Sequence, residues 1–203
     1  MKSIDHKIYL ASKNPNRREL LRQIGIGFDL LLVRERPGEI KDAIQADEST
    51  EDFVRRLARE KADHAWEVML WRKLPMRPLL AADTKLAVDG RILGKPADAA
   101  DAMQMLETLS GRTHQVLTSI AIRSDEGSWQ ATKCTDVTFA TLSAGMIRSY
   151  CSRQEYRDKA GAYAIQGHAS SFICDISGSY SGIMGLPLHE TGQLLQKAGI
   201  PVL

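Results

Sequence analysis

The chain is sparing in the patterns that mark several protein classes. Its cysteines, Cys134, Cys151 and Cys174, are three in 203 residues and widely spaced. An odd, scattered set is no disulfide framework and suggests reduced thiols in a cytosolic protein. No C-x-x-C pair and no H-E-x-x-H occurs, so the spacings of structural and catalytic zinc are missing. No apolar run approaches the ~18 residues of a membrane span. The first residues, MKSIDHKIYLASK, lack the apolar stretch of a signal peptide. The expectation is a cytoplasmic protein without membrane contact. Aromatics are 6% and the formal net charge is only +2, with no basic stripe, which argues against a nucleic-acid partner. There is no internal repeat, low-complexity tract or convincing linker. With 43% hydrophobic and 26% charged residues, the chain reads as one ordinary globular domain over 1–203, with two lobes.

The segment from Leu10 to Leu21, LASKNPNRRELL, is the most informative stretch present. Ile8, Tyr9 and Leu10 predict a strand that stops at the polar loop Ser12-Lys13-Asn14. Asn14 is a good N-cap, Pro15 suits the first helical position, and Leu20, Leu21 and Ile24 continue a helical pattern. Arg17 and Arg18 then fall in the first turn, where the helix dipole disfavours cations by roughly 0.3–1 kcal/mol each unless an anion joins them. Two readings fit: a phosphate cradle, or a solvated helix end.

Beyond it, Ser49 and Asp52 resemble a capping box before a helix running to about Trp66. Leu79 to Ala82 predicts a short strand ending at Asp83. Leu86 to Leu93 predicts a hairpin about Asp89-Gly90. Asp98 to Leu109 is helical, closed by Gly111. His114 to Arg123 and Ala131 to Thr141 read as paired strands, Ser143 caps a helix to about Cys151, Ser171 to Ile176 is a strand, and Pro187 to Ala198 is the last helix. Mixed strands and helices with hairpins beside a β-loop-α start predict an α/β fold on a mixed sheet.

Asp83 at a strand's carboxyl end stands where open α/β sheets collect catalytic groups, and Thr84 beside it offers a hydroxyl; a structural turn is the simpler alternative. Gly94-Lys95-Pro96 puts a lysine on a rigid turn but lacks the G-x-x-x-x-G-K-[ST] spacing, so a plain surface lysine fits equally. Arg112 and His114 are read as complements to a helix C-terminus. In Asp158 to Gly167, DKAGAYAIQG, the glycines permit close backbone approach to a ligand, and Gln166 offers both donor and acceptor for a base edge; a structural turn is again the alternative.

Taken together, SKNPNRRELL, AADT, LGKP, SGRTH, DKAGAYAIQG and GSYSGIMGLP resemble, in order, the motifs of the Maf family of nucleoside triphosphate pyrophosphatases, from about residue 8 to 200. AADT and DKAGAYAIQG resemble the branch acting on dTTP and UTP. The resemblance implies a two-lobed, inosine-triphosphatase-like α/β fold with a curved mixed sheet and a nucleotide cleft between the lobes. It implies hydrolysis between the α and β phosphates with Mg²⁺ or Mn²⁺, in a homodimer. Asp83 matches the catalytic proton acceptor. Ser12, Arg17, Lys61 and Lys95 match the phosphate site, Thr84 and Gln166 match base-choice positions, and Lys159 with Asp158 lies in the substrate-loop motif.

The chain departs from the family's S-x-S-P-R-R. Asn14 stands for serine, and Asn16 stands for an arginine tied to substrate choice, replacing a cationic fork with a neutral amide. Ala164 replaces a glycine, and His168 stands where an apolar residue is common. The family's second carboxylate falls in a loop holding Glu35, Glu39, Asp42, Asp47 and Glu48; Asp42 and Glu39 are the preferred metal ligands beside Asp83. The rival reading is a catalytically weakened paralogue that binds nucleotide, or a cell-division partner, without turnover.

Overall fold

The computed structural model describes residues 6–33 and 43–202. The apolar triplet Ile8–Leu10 forms β1 and is wholly buried. Asn14 caps α1 (Pro15–Gln23), its Oδ1 accepting from the Asn16 N–H at 2.9 Å, and Pro15 has no N–H to leave orphaned. The chain continues through β2 (Phe28–Leu30), α2 (Thr50–Trp71), β3 (Leu79–Val88), β4 (Arg91–Leu93) and α3 (Ala99–Leu109). It then forms β5 (Thr113–Arg123), β6 (Ser128–Phe139), α4 (Ala144–Ser152), β7 (Ile173–Ser177), α5 (Tyr180–Ile183) and α6 (Leu188–Lys197). Ser49, Asp98 and Ser143 cap α2, α3 and α4 by accepting from the N–H groups of Asp52, Asp101 and Met146. Asp89 and Gly90 both adopt positive φ, 49° and 72°, as the tight β3–β4 turn requires.

The strands form one mixed sheet in the order β2-β1-β3-β5-β6-β7, with β4 also on β3. β1 runs parallel to β2 and β3, and all other pairings are antiparallel. Among the described residues no helix is long and apolar enough to cross a membrane.

Two elements outrun their sequence expectation. α2 continues past Trp66 to Trp71, because Met69 is fully buried and no glycine or proline intervenes before Pro75. β3 does not stop at Ala82. It carries Asp83, Thr84 and Lys85 within an unbroken ladder to β5, from Leu79 opposite Arg123 to Ala87 opposite Gln115. The strand predicted from Ser171 begins at Ile173, after a short 3₁₀ turn (His168–Phe172).

Alternation along β3 divides the molecule. On one face Leu79 and Ala81 pack under Ala58, Ala62, Ala65 and Met69 of α2. On the other, Leu80 and Ala82 join Leu20, Leu21, Leu194 and Leu195 of α1 and α6. Farther along that second face, Leu86 and Val88 belong to a separate core with Leu106 and Leu109 of α3 and Ile147 and Tyr150 of α4. Asp83 on the first face and Thr84 on the second interrupt the apolar run where the lobes meet.

His114 does not complement a helix end. It is 1% exposed and wedged edge-on against Phe139 and Tyr163, with Nε2 2.7 Å from the Tyr163 hydroxyl. Arg112 does reach the last turn of α3, donating to the Thr108 carbonyl at 3.4 Å. Burial pushes His114 down from 6.5 to about 4, so it stays neutral in the fold while the unfolded chain binds a proton. This contribution is complete above pH 6.5 and drains away as pH falls towards 4, costing about 3 kcal/mol in all. His114→Phe should therefore flatten the loss of urea-unfolding stability across that window. Parallel slopes for variant and wild type would refute the assignment.

Candidate active site

The site occupies a notch in the sheet. Along one edge of β3, β1 pairs at Leu79 and Leu80, and β4 pairs from Leu86 to Val88. Between them, among the described residues, no strand covers that edge, while the opposite edge stays bonded to β5. A cleft of about 740 Å³ opens there, a size suited to a small-molecule ligand.

On the α2 face, Lys61 reaches down to Asp83: Nζ lies 2.6 Å from Oδ1. The Asp83 side chain is only 8% exposed. Its Oδ2 is buried and accepts no hydrogen bond, with the Lys85 ammonium 3.8 Å away and itself seated over the Phe53 ring. On the opposite face, Arg17 is buried rather than solvated. Its Nε donates to the Gly185 carbonyl at 2.8 Å, Nη1 to Ser12 Oγ at 2.9 Å and Nη2 to Thr84 Oγ1 at 3.2 Å. Burial pushes the Arg17 pKa down, opposed by the charge of Asp83. Among the described residues no carboxylate touches this guanidinium. Three of its five N–H groups are spent on the protein and two remain for an anion.

Gly185 is the enabling residue for that seat. Its φ is +110°, and a Cβ there would lie 3.1 Å from Asn14 Nδ2 and 3.3 Å from Arg17 Nε.

The structure brings Ser12, Asn16, Arg17 and Lys61 into the walls of this one cleft with Asp83 and Thr84. Lys95, Lys159 and Gln166 line it from the other lobe. Lys95 sits 3.5 Å from Asp158, both well exposed, a pairing of little energetic weight. Five cations (Lys13, Arg17, Lys61, Lys95, Lys159) face two carboxylates (Asp83, Asp158) in the wall.

Three expectations are revised. Asp83 is not at a strand's tip but inside β3, and it is β1 that ends beside it. Arg18 stays outside the cleft, its Nη2 donating to the Lys13 carbonyl at 3.4 Å. Gly161 serves packing rather than ligand approach. A Cβ there would meet Leu86 at 2.5 Å, and its N–H donates to the Gly94 carbonyl, tying the loop from Asp158 to Gly167 to the β4–α3 turn.

Of the carboxylates expected near a metal, Glu35, Glu39 and Asp42 lie outside the described residues. Asp47 is exposed. Glu48 is committed to Arg56 at 2.7 and 2.9 Å, which holds its carboxyl down at about 2. Among the described residues no cluster of three or more histidines, cysteines or carboxylates is present. Sequence reasoning missed Lys85 and His64, which only the tertiary fold brings to this region.

A mixed α/β sheet with an anion-favouring cleft at a break in one strand edge defines the class. The Maf-like protein family model matches residues 7–198, and the chain belongs to that family. A relative from Aromatoleum aromaticum, named dTTP/UTP pyrophosphatase, is 47% identical over 206 residues, covering 100% of both chains. Another of that name, from Nitrosomonas europaea, is 46% identical over 96% of each. A Ham1 protein from Coxiella burnetii is a looser structural likeness, with 19% identity and a TM-score of 0.45 over 95% of this chain and 99% of that one.

Proposed function

We propose that this chain hydrolyses dTTP and UTP to the nucleoside monophosphate and pyrophosphate. The carrying observation is Asp83: one oxygen is fixed by Lys61 at 2.6 Å, and the other is buried in the cleft wall without a hydrogen bond. Full-length similarity to relatives named dTTP/UTP pyrophosphatase supports the choice of nucleotide.

Water is a poor nucleophile towards a polyanion, so a carboxylate must orient it and take its proton. Oδ2 of Asp83 serves this role while Lys61 holds the carboxylate in place at 2.6 Å. The water oxygen bonds to phosphorus at the α–β bridge, the bridging bond breaks, and pyrophosphate leaves. Arg17, Lys61, Lys95 and Lys159 stabilise the charge that develops on it.

The Asp83 carboxylate also suits a hard divalent ion. Mg²⁺ or Mn²⁺ would take it together with phosphate oxygens and water, and when bound would draw charge from the phosphates. Glu39 and Asp42 remain the proposed further ligands. A cytoplasmic homodimer completes the proposal, and light scattering measures the dimer.

The test is product analysis over a panel of nucleoside triphosphates with each metal. Release of monophosphate and pyrophosphate, greatest from dTTP and UTP, is expected. Binding without release from any triphosphate would instead support the paralogue without turnover. Asn16 lines the cleft with a neutral amide, so Asn16→Arg adds a charged fork there. The preference profile should shift several-fold, and an identical profile would remove Asn16 from substrate choice.

A further inference from the structure

Thr84 and Thr118 face each other directly across β3 and β5, and their hydroxyl oxygens are 2.8 Å apart. Either could donate in that contact, but the surroundings decide it. Thr118 is completely buried, and its Oγ1 lies 2.7 Å from the Gly182 carbonyl. A carbonyl only accepts, so the single Thr118 proton is spent there. Thr118 must then accept from Thr84, which spends the Thr84 proton. One Thr84 lone pair is taken by Arg17 Nη2 at 3.2 Å. What Thr84 retains for the cleft is one lone pair and no proton.

Ser12 shows the opposite state. Its Oγ accepts from the Asn14 N–H at 3.2 Å and from Arg17 Nη1 at 2.9 Å, so its proton is unspent. Arg17 thus lies between a hydroxyl that can donate and one that can only accept. Phosphate oxygens at neutral pH are acceptors. They can be met by Ser12, but not by Thr84.

We propose that Thr118, which does not line the cleft, sets the hydrogen-bond polarity of Thr84, making Thr84 an acceptor that selects a nucleobase with a ring N–H. Uracil and thymine carry that donor at N3. Cytosine presents a bare nitrogen there, and two facing lone pairs leave both groups unsatisfied. Gln166, lining the same cleft with both a donor and an acceptor, suits the adjoining carbonyl of the base. Thr118 is therefore a positioning residue for base choice. The inference rests on the nucleotide reading above but not on turnover.

The experiment measures calorimetric binding of the non-hydrolysable α,β-imido analogues of UTP and CTP. Wild type should favour the uridine analogue at least tenfold, as expected where a polar site rejects a mismatched partner. In Thr118→Val the Thr84 proton is released to point into the cleft, and the ratio should shrink several-fold. Thr118→Ser should restore it, and Thr118→Ala stands in should the valine variant not fold. The Kd ratio is insensitive to the fraction of active protein, so damage to the fold alone does not move it. A wild type without preference, or a valine or alanine variant with the wild-type ratio, overturns the proposal. A sugar hydroxyl lying against Thr84 would give that unchanged ratio, because both analogues carry the same ribose. Absence of monophosphate release from UTP, by contrast, would count against hydrolysis and leave the base-selection result standing on its own.

Discussion

Asp83→Asn is expected to lower kcat for dTTP and UTP by about 10³-fold, the middle of the range for loss of a positioned general base. The amide keeps the size and planarity of the carboxylate but cannot take a proton from water. It also removes the negative charge that Lys61 meets at 2.6 Å. Lys61 is 24% exposed, so its ammonium can turn to solvent instead of remaining buried and uncompensated. Measured without divalent ion, binding of a non-hydrolysable dTTP analogue should stay within a few-fold of wild type or tighten, because one repulsive charge facing the triphosphate is gone. Steady-state kinetics and calorimetry separate the two effects. A kcat within tenfold of wild type would take Asp83 out of the proton-transfer role.

Arg17→Lys is expected to cost about 10²-fold in kcat/KM and about 3 kcal/mol of stability, despite conserving charge. A guanidinium reaches three acceptors in three directions: the Gly185 carbonyl, Ser12 Oγ and Thr84 Oγ1. An ammonium on a shorter fork cannot span them and leaves the buried Gly185 carbonyl short of a donor. It also frees the loop before α6 from the loop after β1, so the cleft loses its fixed wall. The same burial that lowers the Arg17 pKa gives a triphosphate more to gain on arrival, since the anion supplies the contact the protein withholds. Thermal shifts with and without dTTP analogue should show wild type stabilised more than the lysine variant. Equal shifts would mean that Arg17 props the loop without meeting substrate.

Local chemistry was legible in the sequence. Asn14, Ser49, Asp98 and Ser143 announce helix starts through short-range hydrogen bonds, and Asp89-Gly90 announces its turn through positive φ. What stayed hidden depends on distant partners. Asp83, Thr84 and Lys85 look like a strand end because three polar residues seldom cross a sheet interior. The partners of Asp83 and Thr84 lie far along the chain at Lys61, Arg17 and Thr118. Arg17 reads as a solvated cation until Gly185, 168 residues away, supplies the acceptor that holds it. His114 reads as a complement to a helix C-terminus because the ring stack that encloses it comes from Phe139 and Tyr163. The motif resemblance named the cleft residues, but not the bonds that orient them.

β1 and β4 are each three residues long, and the stretch of β3 they leave uncovered runs from Ala81 to Lys85. At about 3.4 Å per residue, the span from Leu80 to Leu86 is roughly 20 Å. Strand length therefore acts as a gauge on the aperture. Extending β1 by a residue, or clipping one from β4, resizes the opening in steps of one peptide while Asp83 and Thr84 keep their places on β3. Tolerance for larger or smaller cargo can thus be retuned at the ends of two short strands.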